Sequence, residues 1–161
     1  MTMMLDQARQ WLERAKASTA PAQDVAEFKA FVATVAEAAK QKKLSLDIQL
    51  DAVEMVRRSE RALGVAIREG QEAKEITDRG NRENYGGPNH RQSRDATLSS
   101  PSDFLATGTD RALTYAVTDN VTEEEFEVAL SVAKDEGNLS RAGMADALQS
   151  RRERECAQRR Y

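Results

Sequence analysis

The chain of 161 residues contains a single cysteine, Cys156, and a single histidine, His90. One thiol excludes an intramolecular disulfide and a cysteine-rich zinc site. His90, with no cysteine, aspartate or second histidine at ligand spacing, reads as an ordinary loop residue, so neither a metal nor a cofactor is expected. Aromatic residues make up only 5% and charged residues 32%, with a mean hydropathy of −0.68. That is the composition of a solvated helical protein and is poor for a large enzyme with an enclosed pocket. No β-branched run alternates with period two, and no stretch approaches the roughly 20 apolar residues of a membrane span. The start MTMMLDQARQ has no basic flank followed by an apolar run, so a cytoplasmic protein is expected, and a reducing compartment suits the lone thiol. Chemistry is as sparse. There is no paired acid and base, Cys156 has no partner base, and Gly86 and Gly87 precede a proline with no helix after it, which excludes a phosphate loop. The expectation is a non-enzyme.

What the sequence does contain is helical periodicity. Leu5, Ala8, Leu12 and Ala15 recur at spacings of three and four, with Trp11 beside them, predicting a short amphipathic helix over about 4–17. Thr19 and Pro21 predict the start of a second helix, with Pro21 in its first turn, running to about Lys42. Its stripe of Val25, Phe28, Val32, Val35 and Ala39 has the spacing of a coiled-coil-like seam between helices packed side by side. After a break at Leu44 and Ser45, the positions Leu46, Leu50, Val53, Val56, Leu63 and Ile67 predict a third and longest helix reaching Ile76. Arg57 and Glu60 fall near that stripe, and Gly64 and Gly70 weaken its second half. Because the stripes are rich in alanine and short of large side chains, residues 1–76 are expected to associate as a homodimer through Val25, Phe28, Val32, Val35, Leu50, Val53 and Val56.

Residues 77–100 hold Gly80, Gly86, Gly87 and Pro88 and almost no large apolar residue, so they read as a disordered linker. Ser100 or Ser102 predicts a short helix holding Phe104 and Leu105, and Asp110 another through Leu113, Tyr115 and Val117. Thr122 with Glu125 is a capping box that starts a helix carrying Phe126, Ala129, Leu130 and Ala133. Gly137 then stops it in the left-handed conformation, and Ser140 caps a helix carrying Met144, Ala147 and Leu148. The fold class is therefore all-α: an N-terminal three-helix or hairpin segment, a flexible linker, a small unit of helix-turn-helix type over 101–150, and an arginine-rich tail over 151–161.

Charge is distributed unevenly along this plan. Residues 1–76 carry 12 charges of each sign, 77–100 carry 4 basic and 3 acidic, 101–150 carry 3 and 10, and 151–161 carry 5 and 2. If the helix-turn-helix reads nucleic acid, Arg141, Gln149, Arg151 and Arg152 are the candidate contacts, because guanidinium and carboxamide groups suit phosphates and base edges. Yet the unit lies in the most acidic part of the chain, which a phosphate-binding surface should avoid, and Gly143 weakens its second helix. A protein-interaction adaptor whose acidic unit docks on a basic partner protein is the competing reading.

Two blocks carry a resemblance. The stretch from Lys29 to Gln71, with the string RRSERALG from Arg57 to Gly64, and the stretch from Val121 to Leu148, with the turn EGNLSRA, resemble small helical accessory proteins of actinobacterial phages, prophages and mobile elements. The resemblance implies a phage-type accessory or DNA-associated protein. The leading expectation is thus a dimeric accessory protein that regulates through DNA, and the rival is the adaptor.

Overall fold

The computed structural model describes residues 2–18, 20–77, 99–105 and 107–158. Among the described residues seven helices follow one another: α1 (Thr2–Ser18), α2 (Ala22–Gln41), α3 (Leu46–Glu72), α4 (Pro101–Phe104), α5 (Gly108–Ala116), α6 (Glu123–Asp135) and α7 (Arg141–Gln158). No strand occurs among the described residues. A lone parallel bridge joins Ile76 to Ser99, and Thr77 N–H donates to the Ser99 carbonyl at 2.9 Å. The all-α class is as the periodicity requires. Most of the expected linker, residues 78–98 with His90 in it, lies outside the described residues, as does the Thr19 cap.

α2 and α3 form an antiparallel hairpin. Their turn passes through Lys43 at φ 50°, and Leu44 N–H closes back on the Ala39 carbonyl at 3.1 Å. Pro21 is the residue before α2, not part of its first turn, and its carbonyl accepts from Val25 N–H at 3.2 Å. α1 lies across the pair, and Trp11 stacks on Phe28 with ring centroids 4.1 Å apart. α3 is a continuous helix, but it stops at Glu72, short of the expected Ile76. Lys74 takes φ 60°, the chain folds back with Ile76 N–H donating to the Gly70 carbonyl at 3.0 Å, and Ile76 is buried against Leu63, Ala66 and Ile67. Burying one large aliphatic side chain, worth about 1.5–3 kcal/mol, outweighs another exposed helical turn and a left-handed residue.

Two expectations are corrected by the packing. Val25, Phe28, Val32 and Val35 are buried within one chain, and Leu50, Val53 and Val56 are half-buried on the shared helix α3. They are not an exposed association surface. The stripes that look too thin are completed in cis, by α1 on one side and by the C-terminal helices on the other. Nor is 101–150 a unit tethered at a distance. Leu105 and Tyr115 share a core with Val25, Leu63 and Ile67, while Leu50 and Val53 pack against the cluster of Phe126, Leu130, Leu139 and Met144. Gly64 makes this approach possible: a β-carbon there would overlap Thr118 Oγ1 and crowd Thr114. The glycine is the contact point of α5 on α3, not a weakness of the helix.

Candidate functional site

The α6–α7 pair is built by local signals. The Thr122 hydroxyl accepts from Glu125 N–H at 3.2 Å, and the Glu125 carboxylate accepts from Thr122 N–H at 2.7 Å, which satisfies two otherwise orphaned helix donors. Gly137 ends α6 at φ 66°, and the Ser140 hydroxyl accepts from Gly143 N–H at 3.1 Å to start α7. Gly143, which looks out of place in a helix, is required because Asn138 lies where a β-carbon would be. The tail does not stand apart, since α7 runs on to Gln158 with Cys156 on it; the Cys156 side chain lies outside the described residues.

A seam of ion pairs fastens this pair to α3. Lys134 Nζ donates to Asp51 at 2.7 Å and to Glu54 at 2.6 Å. Arg58 grips Glu127 through both terminal nitrogens, one at 2.8 Å, and donates from Nε to Glu54 at 2.9 Å. Arg61 donates to Glu123 at 2.8 Å, to the Val121 carbonyl at 2.9 Å and to the Val117 carbonyl, and its guanidinium lies 5.0 Å from the Phe126 ring centroid. Arg57 donates to the Leu139 carbonyl at 3.0 Å and pairs with buried Glu60, which also accepts from Arg141 at 3.2 Å. Further along, Arg68 chelates Asp119 at 2.6 and 2.7 Å and stacks over Tyr115 at 4.4 Å.

These contacts govern the titration of the seam. Burial opposes the charges of Asp51 and Glu54, but the bonds from Lys134, assisted by Arg9 and Arg58 respectively, prevail and hold both carboxyls below their ordinary values. Hydrogen bonds from Asp51 and then Glu54 raise Lys134. Burial works against the charges of Arg58 and Arg141 as well, yet their carboxylate partners raise both. Asp110 is lowered in the same manner, desolvation being outweighed by Arg141, Thr107 and Lys29.

The expected nucleic-acid contacts fare unevenly. Arg141 is a correction: its guanidinium is spent on Glu60 and Asp110 and does not project into a groove. Gln149 is exposed, Arg151 reaches the Glu124 carbonyl at 3.5 Å, and the Arg152 side chain lies outside the described residues. The outer face of the first two turns of α7 shows Ala142, Ala145 and Asp146. The residues that do matter, Asp51, Glu54, Arg58, Arg61 and Glu127, were not foreseen as a group. Their one sequence signal is that Arg57 and Glu60 interrupt the apolar stripe of α3.

Beside the seam, a cleft of about 160 Å³ opens between the end of α1, the start of α2, α3 and α6. Its floor is apolar, with Val25, Ala62, Ala66 and Phe126, and Val65, Glu69 and Glu123 stand at its edge. Among the described residues, no group of histidine, cysteine or acidic side chains is arranged to hold a metal ion, and no helix is long and apolar enough to cross a membrane. No protein-family model, curated protein or solved structure matches this chain.

Proposed function

We propose that this chain is a non-enzymatic interaction module, an adaptor that docks a basic partner protein on the acidic face of its C-terminal helices. One observation carries this reading. All three basic side chains of 101–150 are engaged by the chain itself, Arg111 with Ser102, Lys134 with Asp51 and Glu54, and Arg141 with Glu60 and Asp110. Asp103, Glu124, Asp135, Glu136 and Asp146 remain exposed. A surface of that sign repels the phosphate backbone and steers a cationic protein toward itself.

DNA regulation is the weaker reading, because the first turns of a recognition helix supply the base contacts and here they offer alanine and aspartate. A small adaptor of this kind suits the phage accessory role implied by the resemblance. The test is a pair of titrations at low and physiological salt, one with mixed-sequence duplex DNA and one with a lysine-rich peptide. Binding of the peptide that is lost in the charge-reversed variant Asp135→Lys/Asp146→Lys, with no DNA binding at physiological salt, supports the adaptor. Tight, steeply salt-dependent DNA binding overturns it.

A further inference from the structure

The α6–α7 hairpin has a core of its own. Phe126, Leu130, Leu139, Met144 and Leu148 bury one another, and the contribution of α3 to this cluster is half-buried Leu50 and Val53. The rest of the fastening is polar and laid out in order. Glu123 meets Arg61, Glu127 meets Arg58, and Lys134 meets Glu54 and Asp51, so α6 runs antiparallel along α3.

At the Glu123 end lies a pivot. α5 is fixed on α3 by the close approach of Thr114 and Thr118 to Gly64 and by Arg68 on Asp119, whereas the next residue, Asn120, turns the chain toward α6 at φ 57°. Arg61 holds the carbonyls of Val117 and Val121, which lie on either side of that turn, so its bonds sit on the axis and survive a rotation of α6 about it. Away from the pivot the pairing is redundant. Each α3 carboxylate engaged across the seam has a second cation that does not leave with α6: Asp51 has Arg9 at 3.3 Å, Glu54 has Arg58 at 2.9 Å, and Glu60 has Arg57. Breaking a buried pair is costly because it strands a charge, and here separation strands none on α3. The groups that depart are already partly in water, Lys134 at 35%, Arg141 at 34% and Glu127 at 39% exposure. Asp110 on α5 gives up Arg141 in the first turn of its helix, where the dipole favours a carboxylate.

We infer that the α6–α7 hairpin is a hinged flap that swings from α3 as one folded body about the turn at Asn120, with the pairs of Glu127, Lys134 and Arg141 as its latch and Arg61 as its pin. This goes beyond the adaptor reading and does not depend on it. The closed chain holds Glu127 against Arg58 and covers Leu50 and Val53; the open chain presents all three. Ionic strength sets the balance, because the screening length falls to about 3 Å at 1 M salt and the latch charges are open to it.

The experiment uses the full chain carrying Cys156→Ser and two fluorescent labels, one at Lys40→Cys on the exposed side of α2 near the α2–α3 turn and one at Ala145→Cys on the outer face of α7. Single-molecule energy transfer between them is followed from about 0.05 to about 1 M sodium chloride, with circular dichroism on the same samples. The expected result is a second, longer separation whose population rises at least about tenfold over that range while the helical signal stays constant. Glu127→Arg sets two guanidinium groups against each other and should raise that population at least about tenfold at the lowest salt. A separation that keeps its low-salt value in 1 M salt and in Glu127→Arg overturns the flap. A longer separation that comes only with loss of helical signal shows the hairpin unfolding instead of swinging, and overturns it equally. Opening that ignores either the salt or the substitution overturns the latch.

Discussion

Replacing Arg61 with alanine removes the side chain on which the junction of the two halves depends most heavily. In the folded chain its nitrogens satisfy the carbonyls of Val117 and Val121, residues only 6% exposed, and bind Glu123 while the guanidinium covers Phe126. Each buried carbonyl left without a donor costs about 1–3 kcal/mol. Glu123 is half exposed at 50%, so losing that pair adds less than about 1 kcal/mol. The cation–π contact adds about 0.5–1 kcal/mol, and water entering the vacated space returns part of the total. The expected loss for Arg61→Ala is therefore about 4 kcal/mol, a large share of the roughly 5–15 kcal/mol that holds a small domain together. Urea unfolding followed by circular dichroism, with Trp11 fluorescence as a separate probe of the α1–α2 side, measures it. Arg61→Lys should recover less than half, because one ammonium cannot span two carbonyls and a carboxylate in a fixed fork. An Arg61→Ala midpoint within about 1 kcal/mol of the parent, or a lysine variant equal to it, would falsify the claim that this guanidinium bridges the halves.

Three more outcomes follow from the same contacts. Gly64→Ala should lower stability by about 1–3 kcal/mol in a thermal melt although alanine is the better helix former, because the added carbon meets Thr118; a melting temperature at or above the parent's contradicts this. Asp51, Glu54 and Asp110 have lowered pKa values in the folded chain, so the stability they contribute is complete above their ordinary values of 3.8, 4.5 and 3.8 and is lost as pH falls through the folded ones. Lys134 is raised, so its share persists through neutral pH and goes only as pH climbs above 10.5. Lys134→Met should accordingly flatten the acid limb of the stability profile, and an unchanged limb contradicts the pairing. Finally, with the α2 stripe closed within the chain, sedimentation equilibrium should return a mass near 17.9 kDa; a dimer at micromolar concentration would show that a different surface associates.

How much of this was legible in the sequence follows the range of the interactions. The Thr122–Glu125 box, the left-handed Gly137 and the stripe of α2 are set by neighbours within four residues, and each is found where the pattern places it. A stripe states that a face is buried and says nothing of what buries it, so the α2 stripe alone predicts a contact with another chain where the fold supplies α1 and α3. The seam's partners are far apart along the chain: Arg61 and Glu123 are separated by 62 positions, and Arg57 and Leu139 by 82. Local periodicity registers such residues only as charges in the wrong place. Gly64 and Gly143 look like helix weaknesses in sequence for the same reason, since each makes room for atoms that lie outside its own helix. The cleft gathers residues from α1, α2, α3 and α6 and leaves no motif at all.

The bridge between Ile76 and Ser99 has a consequence for how this protein tolerates change. It holds Ile76 beside Ser99, the residue before the Ser100 cap of α4, with Thr77 N–H donating to the Ser99 carbonyl at 2.9 Å. A substitution that unseats Ile76 from Leu63, Ala66 and Ile67 therefore also loosens the start of α4, so one change reaches two elements that are not neighbours in sequence.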